Sequence, residues 1–168
     1  PDGSLHTYAN GEIDYRIKGV HAKVSVLWKF EAPAGAGDTH CSILRGSQAN
    51  LVIRQGPAEA WQPVLYIEPV TTTGATDVAC ALADALRQVR ATFPGIDVER
   101  TGERWRVIVP ASYHVGHEAH FAQVAGAFLA CVQKGALPDW EVPNMLAKYR
   151  TTTRALAIAR GDEPAATR

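Results

Sequence analysis

The apolar residues of this chain change their period once, and that change limits the folds open to it. From Ile13 to Glu68 they recur mostly at every second position, the spacing of strands with one buried face. From Thr76 onward they recur mostly at three and four, the spacing of amphipathic helices, with one further alternating pair of segments between Ile96 and Val109. Strands that come first and helices that come later do not make the alternating βαβ units of a parallel sheet. They make an α+β fold, here a mostly antiparallel open β-sheet with helices packed on one face.

Punctuation within the two halves locates the elements. Asn10-Gly11 separates Leu5–Ala9 from Ile13–Lys18 and predicts a tight hairpin, since both turn positions need positive φ. After Gly19 a long strand is expected from Val20 to Phe30, with Val20, Ala22, Val24, Val26, Trp28 and Phe30 on the face the helices cover. His21, Lys23, Ser25 and Lys29 lie on its other face, with Leu27 the apolar exception. Strands follow at Thr39–Arg45, Ala49–Gln55 and Val64–Glu68, and a second hairpin turns at Thr101-Gly102-Glu103. Thr76 is placed to cap a helix ended by Pro94. A second helix carries Phe121, Val124, Ala125, Phe128, Leu129 and Val132 as a buried stripe and stops near Lys134-Gly135. Pro143 suits the first turn of a last helix, and the chain past Gly161 reads as a frayed tail. Residues 1–160 read as a single domain.

Composition excludes several functions. Lys+Arg and Asp+Glu are both 17, so the net charge is zero and nothing draws the chain to nucleic acid or an anionic membrane. No apolar run has the length of a membrane span. Cys41, Cys80 and Cys131 are odd in number and form no CxxC; Cys80 and Cys131 sit among alanines in helical patterns, so buried reduced thiols there and a cytoplasmic setting are expected. The chain opens Pro1-Asp2-Gly3 and has one methionine, Met145, which reads as a segment of a longer protein.

Chemistry concentrates in two places. His114, His117 and His120, with Glu118 among them, lie where the second long helix begins. Neutral imidazole near pH 7 accepts a hydroxyl proton, which suits a general base or a ligand for a sugar hydroxyl. The alternative is a core histidine at His117 and a carboxylate at Glu118 that complements the helix N-terminus. No metal site is expected: Gly116 stands against a continuous helix running from His114 to His120, and His117-Glu118-Ala119-His120 is one residue short of HExxH. Asp38 and His40, in Gly37-Asp38-Thr39-His40, are placed to touch substrate, although an aspartate there also serves a turn. Trp61, Trp105 and Trp140 serve either as stacking surfaces or as core.

Several segments together resemble a known family. They are Tyr8-Ala9-Asn10-Gly11-Glu12-Ile13-Asp14-Tyr15, Gly37-Asp38-Thr39-His40, Arg45-Gly46-Ser47-Gln48-Ala49-Asn50-Leu51-Val52-Ile53, Gly116-His117-Glu118-Ala119-His120-Phe121 and Trp140-Glu141-Val142-Pro143-Asn144-Met145. With them the chain resembles the C-terminal domain of an oxidoreductase of the Gfo/Idh/MocA family. The resemblance implies an N-terminal Rossmann domain, absent from this chain, that binds NAD or NADP and supplies a catalytic lysine. It implies that this domain completes the site for a sugar-like or polyol substrate and forms a homo-oligomer through its open sheet face. The departures are equally plain. No GxGxxG occurs, so the chain alone is expected to bind no dinucleotide. The family's Asp-x-x-x-His segment has no counterpart here, so no catalytic residue carries over. A non-catalytic binding or dimerisation domain is the alternative function.

Overall fold

The computed structural model describes Gly3 and residues 8–28, 34–71 and 74–164. They form an α+β structure of two antiparallel sheets and three helices. The chain divides into two compact units, residues 1–30 with 118–168, and Glu31–His117.

In the first unit β1 (Gly11–Ile17) and β2 (Val20–Val26) pair antiparallel. They turn at Lys18-Gly19, whose φ values of 49° and 81° are the two left-handed positions of a two-residue hairpin. The hairpin expected at Asn10-Gly11 is therefore displaced. The observed register sets Ile13, Tyr15 and Ile17 opposite Val24, Ala22 and Val20, so the apolar alternation of both strands falls on one face. Asn10 takes a different part: its Oδ1 accepts the Trp28 backbone N–H at 2.6 Å, beyond the end of β2. The long strand stops at Val26, while Lys29 and Phe30, like residues 5–7 of the expected first strand, lie outside the described residues. On the charged face Lys23 Nζ sits 2.7 Å from Glu12, and His21 Nε2 lies 3.4 Å from Asp14. The hydrogen bond to Glu12 raises the Lys23 ammonium above its ordinary value.

The same unit holds α2 (His117–Lys134, of which His117 itself belongs to the other unit) and α3 (Glu141–Arg160). α2 closes as expected: Gly135 has φ 67° and the Ala136 N–H reaches back to the Cys131 carbonyl at 3.3 Å. α3 tolerates Thr151 and Thr153 in its interior because their hydroxyls donate to the carbonyls of Ala147 (2.8 Å) and Tyr149 (2.7 Å). Tyr15, Ile17, Leu146, Ala147 and Thr151 line a shallow groove where α3 runs along β1. The chain after Gly161 is tied down as far as Glu163, which pairs with Arg154 at 3.4 Å; residues 165–168 lie outside the described residues.

The second unit is a five-stranded sheet of order β3-β4-β5-β7-β6, from β3 (His40–Arg45), β4 (Ala49–Gln55), β5 (Val64–Pro69), β6 (Asp97–Thr101) and β7 (Arg104–Ile108). The second expected hairpin stands, with Gly102 at φ 65° between β6 and β7. α1 (Ala75–Thr92) lies across one face, where Val78 packs with Ile67 and Trp105 and is flanked by Ala79, Leu82 and Val107. Its cap is Gly74, whose N–H donates to Thr71 Oγ1 at 3.2 Å, so Thr76 stands inside the first turn rather than capping it. On the opposite face Val52, Val64 and Tyr66 form a second cluster.

Among the described residues these six apolar side chains are the buried ones, and all belong to the second unit. This corrects three expectations. The α2 stripe is exposed at its large residues, from 55 % at Val124 to 68 % at Phe121, with Ala125 half-buried. The apolar face of β2 is exposed at Val20, Val24, Val26 and Trp28. Cys80 is exposed and Cys131 half-buried, with Cys41 exposed, and all three thiols are free. Period predicts which face of an element is apolar; it does not supply the surface that would cover it.

Candidate functional site

The predicted site residues fall in both units. Ala111–Tyr113 form a short 3₁₀ turn, held by the Tyr113 hydroxyl donating to the Pro94 carbonyl at 3.1 Å and by edge-on contact with Phe93. His114 follows it in a non-helical conformation, its N–H bonded to the Ala111 carbonyl at 3.0 Å. α2 begins at His117, so His114 is not on the helix and the three histidines do not form one helical face. His114, His117, Glu118 and His120 are all exposed, which removes the core-histidine reading of His117. Glu118 is the acidic residue of the first turn, where a carboxylate complements the helix dipole. Asp38, His40, His114 and His117 belong to the second unit, Glu118 and His120 to the first. No helix among the described residues is long and apolar enough to cross a membrane.

Asp38 and His40 have a built surround that the sequence did not announce. His40 opens β3 opposite Gln55, the last residue of β4. Gly56 follows, buried, and its carbonyl accepts the Trp61 N–H at 2.8 Å and the Glu59 N–H at 3.1 Å. Between them Pro57–Glu59 make one 3₁₀ turn, and then Ala60 and Trp61 are both left-handed, at φ 52° and 61°. Left-handed backbone costs an L-residue roughly 1–2 kcal/mol, and two in succession persist only where surrounding contacts enforce them. Those contacts place Trp61 against Gly37. A Cβ on Gly37 would lie 3.1 Å from Trp61 Cβ and 3.3 Å from Cγ, so a larger residue there would push the indole aside by a few tenths of an ångström. Trp61 is half-buried, while Asp38, Thr39 and His40 are exposed. The turn is pinned by Tyr66, whose hydroxyl donates to Glu59 Oε1 at 3.2 Å.

A second missed group lies on the sheet face away from α1. The Arg104 guanidinium sits 4.0 Å over the Tyr66 ring and 3.5 Å from Glu68, which also faces Arg54 at 3.6 Å. Arg54 Nε is buried, with no hydrogen-bond partner among the described residues. Only strand register brings these residues together, and register is not readable from spacing within one strand. Of the three tryptophans proposed as stacking surfaces, Trp105 is core at 7 % exposure and Trp140 is exposed.

The second unit is an α+β unit that presents polar side chains at one end of its five-stranded sheet. Over residues 1–160 the chain matches the family described as "Putative oxidoreductase C terminal domain", and it belongs to that family. It is similar to a solved structure from Parabacteroides merdae described as a "putative oxidoreductase", at 48 % identity and a TM-score of 0.88. That match covers 97 % of this chain and 37 % of the other, so the chain spans well under half the length of this relative. No protein among the curated ones matches.

Proposed function

We propose that this chain is the substrate-binding and oligomerisation domain of an NAD- or NADP-dependent oxidoreductase of the Gfo/Idh/MocA type, acting on a sugar-like or polyol substrate. The observation that carries the reading is family membership over residues 1–160, joined to the 37 % share of the longer relative. A Rossmann domain elsewhere in the full-length protein binds the dinucleotide, and this domain orients the substrate. Asp38, His40, His114, His117, Glu118 and His120 are the ligand candidates, all exposed and so open to a small molecule. His117 and His120 take the hydroxyl-facing roles, since neutral imidazole accepts a proton near pH 7.

The test is turnover of nicotinamide by the full-length protein, with His117→Asn and His120→Asn. Loss of a proton-accepting group costs roughly 10²–10⁴-fold in rate. The melting temperature should stay unchanged, because both residues are exposed. Full activity in both variants overturns their role. Isothermal titration of the isolated chain should show no affinity for NAD(H) or NADP(H); micromolar binding overturns the division of labour.

A second reading, a non-catalytic assembly domain, is favoured by the exposed apolar surface at Leu27, Trp28 and along α2. Both readings share a homo-oligomer formed through the open sheet face. Light scattering of wild type and Leu27→Lys tests it, and a monomer of unchanged mass and solubility in both refutes it.

A further inference from the structure

We infer that α2 is the surface on which the rest of the full-length chain packs, so that Phe121, Val124, Phe128, Leu129 and Val132 are core residues of the complete protein. The inference rests on the reading of this chain as part of a longer oxidoreductase, and not on nicotinamide chemistry or the choice of substrate.

Three observations converge. The first is charge. Between Glu118 and Lys134, α2 carries no charged side chain. By contrast α1 carries Asp77, Asp84, Arg87 and Arg90, and α3 carries Lys148, Arg150, Arg154 and Arg160. A helix that faces water places charge on that side, and one without such a side belongs in a core. The second is exposure. The five large side chains of the stripe are 55–68 % exposed, so the described residues leave them largely uncovered. Single apolar residues at a surface are ordinary, but a contiguous stripe marks a contact surface. The third is length. The solved relative shares 37 % of its chain with this one, so most of its polypeptide lies outside the matched domain.

The back of the helix decides between that occupant and others. By helical spacing Ala119, Gly126 and Ala130 lie behind the stripe, and a Cβ on Gly126 would meet nothing beyond its own helix within 4 Å. Large residues in front and small ones behind make α2 apolar on both sides. A two-fold contact with a second copy presents the same single patch on each molecule, whereas a larger body folded around the helix covers front and back together. A membrane-surface helix would flank its stripe with basic residues, and α2 has Lys134 alone, at its end.

The test is maleimide labelling of the full-length protein, read site by site by peptide mass spectrometry. A cysteine introduced by Phe128→Cys should react roughly tenfold or more slowly than Cys80, which is exposed. The slow rate should persist on dilution to nanomolar protein. Leu129→Lys should lower the melting temperature of the full-length protein by roughly 5 °C or more, since it would bury a charge. Should Phe128→Cys fail to fold, the native Cys131 on the same helix should label more slowly in the full-length protein than in the 168-residue chain. Labelling at the rate of Cys80, or an unchanged melting temperature, overturns the inference. Shielding that disappears on dilution also overturns it, because a second copy is then the cover. The two readings fail separately. Nicotinamide turnover with a freely labelled helix leaves the oxidoreductase and removes the packing surface, and a shielded helix without turnover does the reverse.

Discussion

Phe128→Ala and Val78→Ala form a pair whose ranking differs between the sequence pattern and the structure. By pattern, Phe128 sits mid-stripe on an amphipathic helix, and truncating a buried phenylalanine costs about 3–5 kcal/mol. In the structure Phe128 is 62 % exposed, so less than half of its side-chain surface has left water. Full burial of such a side chain contributes about 1.5–3 kcal/mol, so its truncation should cost about 1 kcal/mol or less. Val78 is smaller but 5 % exposed, packed between Ile67 and Trp105. Removing its two methyl groups loses about 0.8 kcal/mol each in transfer and adds a cavity term, for about 2–3 kcal/mol together. The smaller deletion is therefore the more damaging one. Urea unfolding at low micromolar concentration, followed by circular dichroism and tryptophan fluorescence, measures both. A Phe128→Ala loss larger than that of Val78→Ala would refute the reasoning and show the stripe to be covered in the free chain.

Three further outcomes follow from particular contacts. Lys18→Asn should stabilise the β1–β2 hairpin by about 0.5–1 kcal/mol, because asparagine tolerates the left-handed φ of 49° better than lysine; amide exchange of Val20 and Ala22 reports it, and faster exchange would contradict it. Tyr66→Phe should cost about 1 kcal/mol through loss of the bond to Glu59, with the urea midpoint as readout and an unchanged midpoint as the contrary result. Lys23 has a raised value in the folded chain, so its pairing with Glu12 is fully present below its ordinary value of 10.5 and is lost as pH rises through the folded one. The small stability difference between wild type and Lys23→Gln should accordingly close in strong alkali, and a difference that widens there would contradict the assignment.

The elements were legible where the signal was local. β3, β4, β5 and the β6–β7 hairpin fall within a residue or two of their expected bounds, because Gly46, Gly102 and their neighbours mark short turns. The C-terminus of α2 at Gly135 was legible for the same reason. The first hairpin was not, since Asn10-Gly11 and Lys18-Gly19 both permit a tight turn and only the pairing of Ile13, Tyr15 and Ile17 with β2 decides between them. At the site, Asp38 and His40 stood out in the sequence as polar residues after a loop, whereas the Trp61 turn depends on backbone angles that no spacing encodes. The Arg54–Glu68–Arg104 group was hidden because its members lie on three strands whose order is set by tertiary pairing.

The confinement of every buried apolar side chain among the described residues to Glu31–His117 bears on how the chain opens. Backbone amides on β4, β5 and β7 sit inside paired strands over Val52, Tyr66 and Trp105, so their exposure to solvent requires disrupting the core itself. Amides of β1, β2 and α3 are shielded by hydrogen bonds alone, without a dry layer beneath them, and such segments exchange by local opening at far smaller free-energy cost. Segments outside the five-stranded sheet are therefore the first to open locally, and a protease meeting the chain would find its first accessible bonds there.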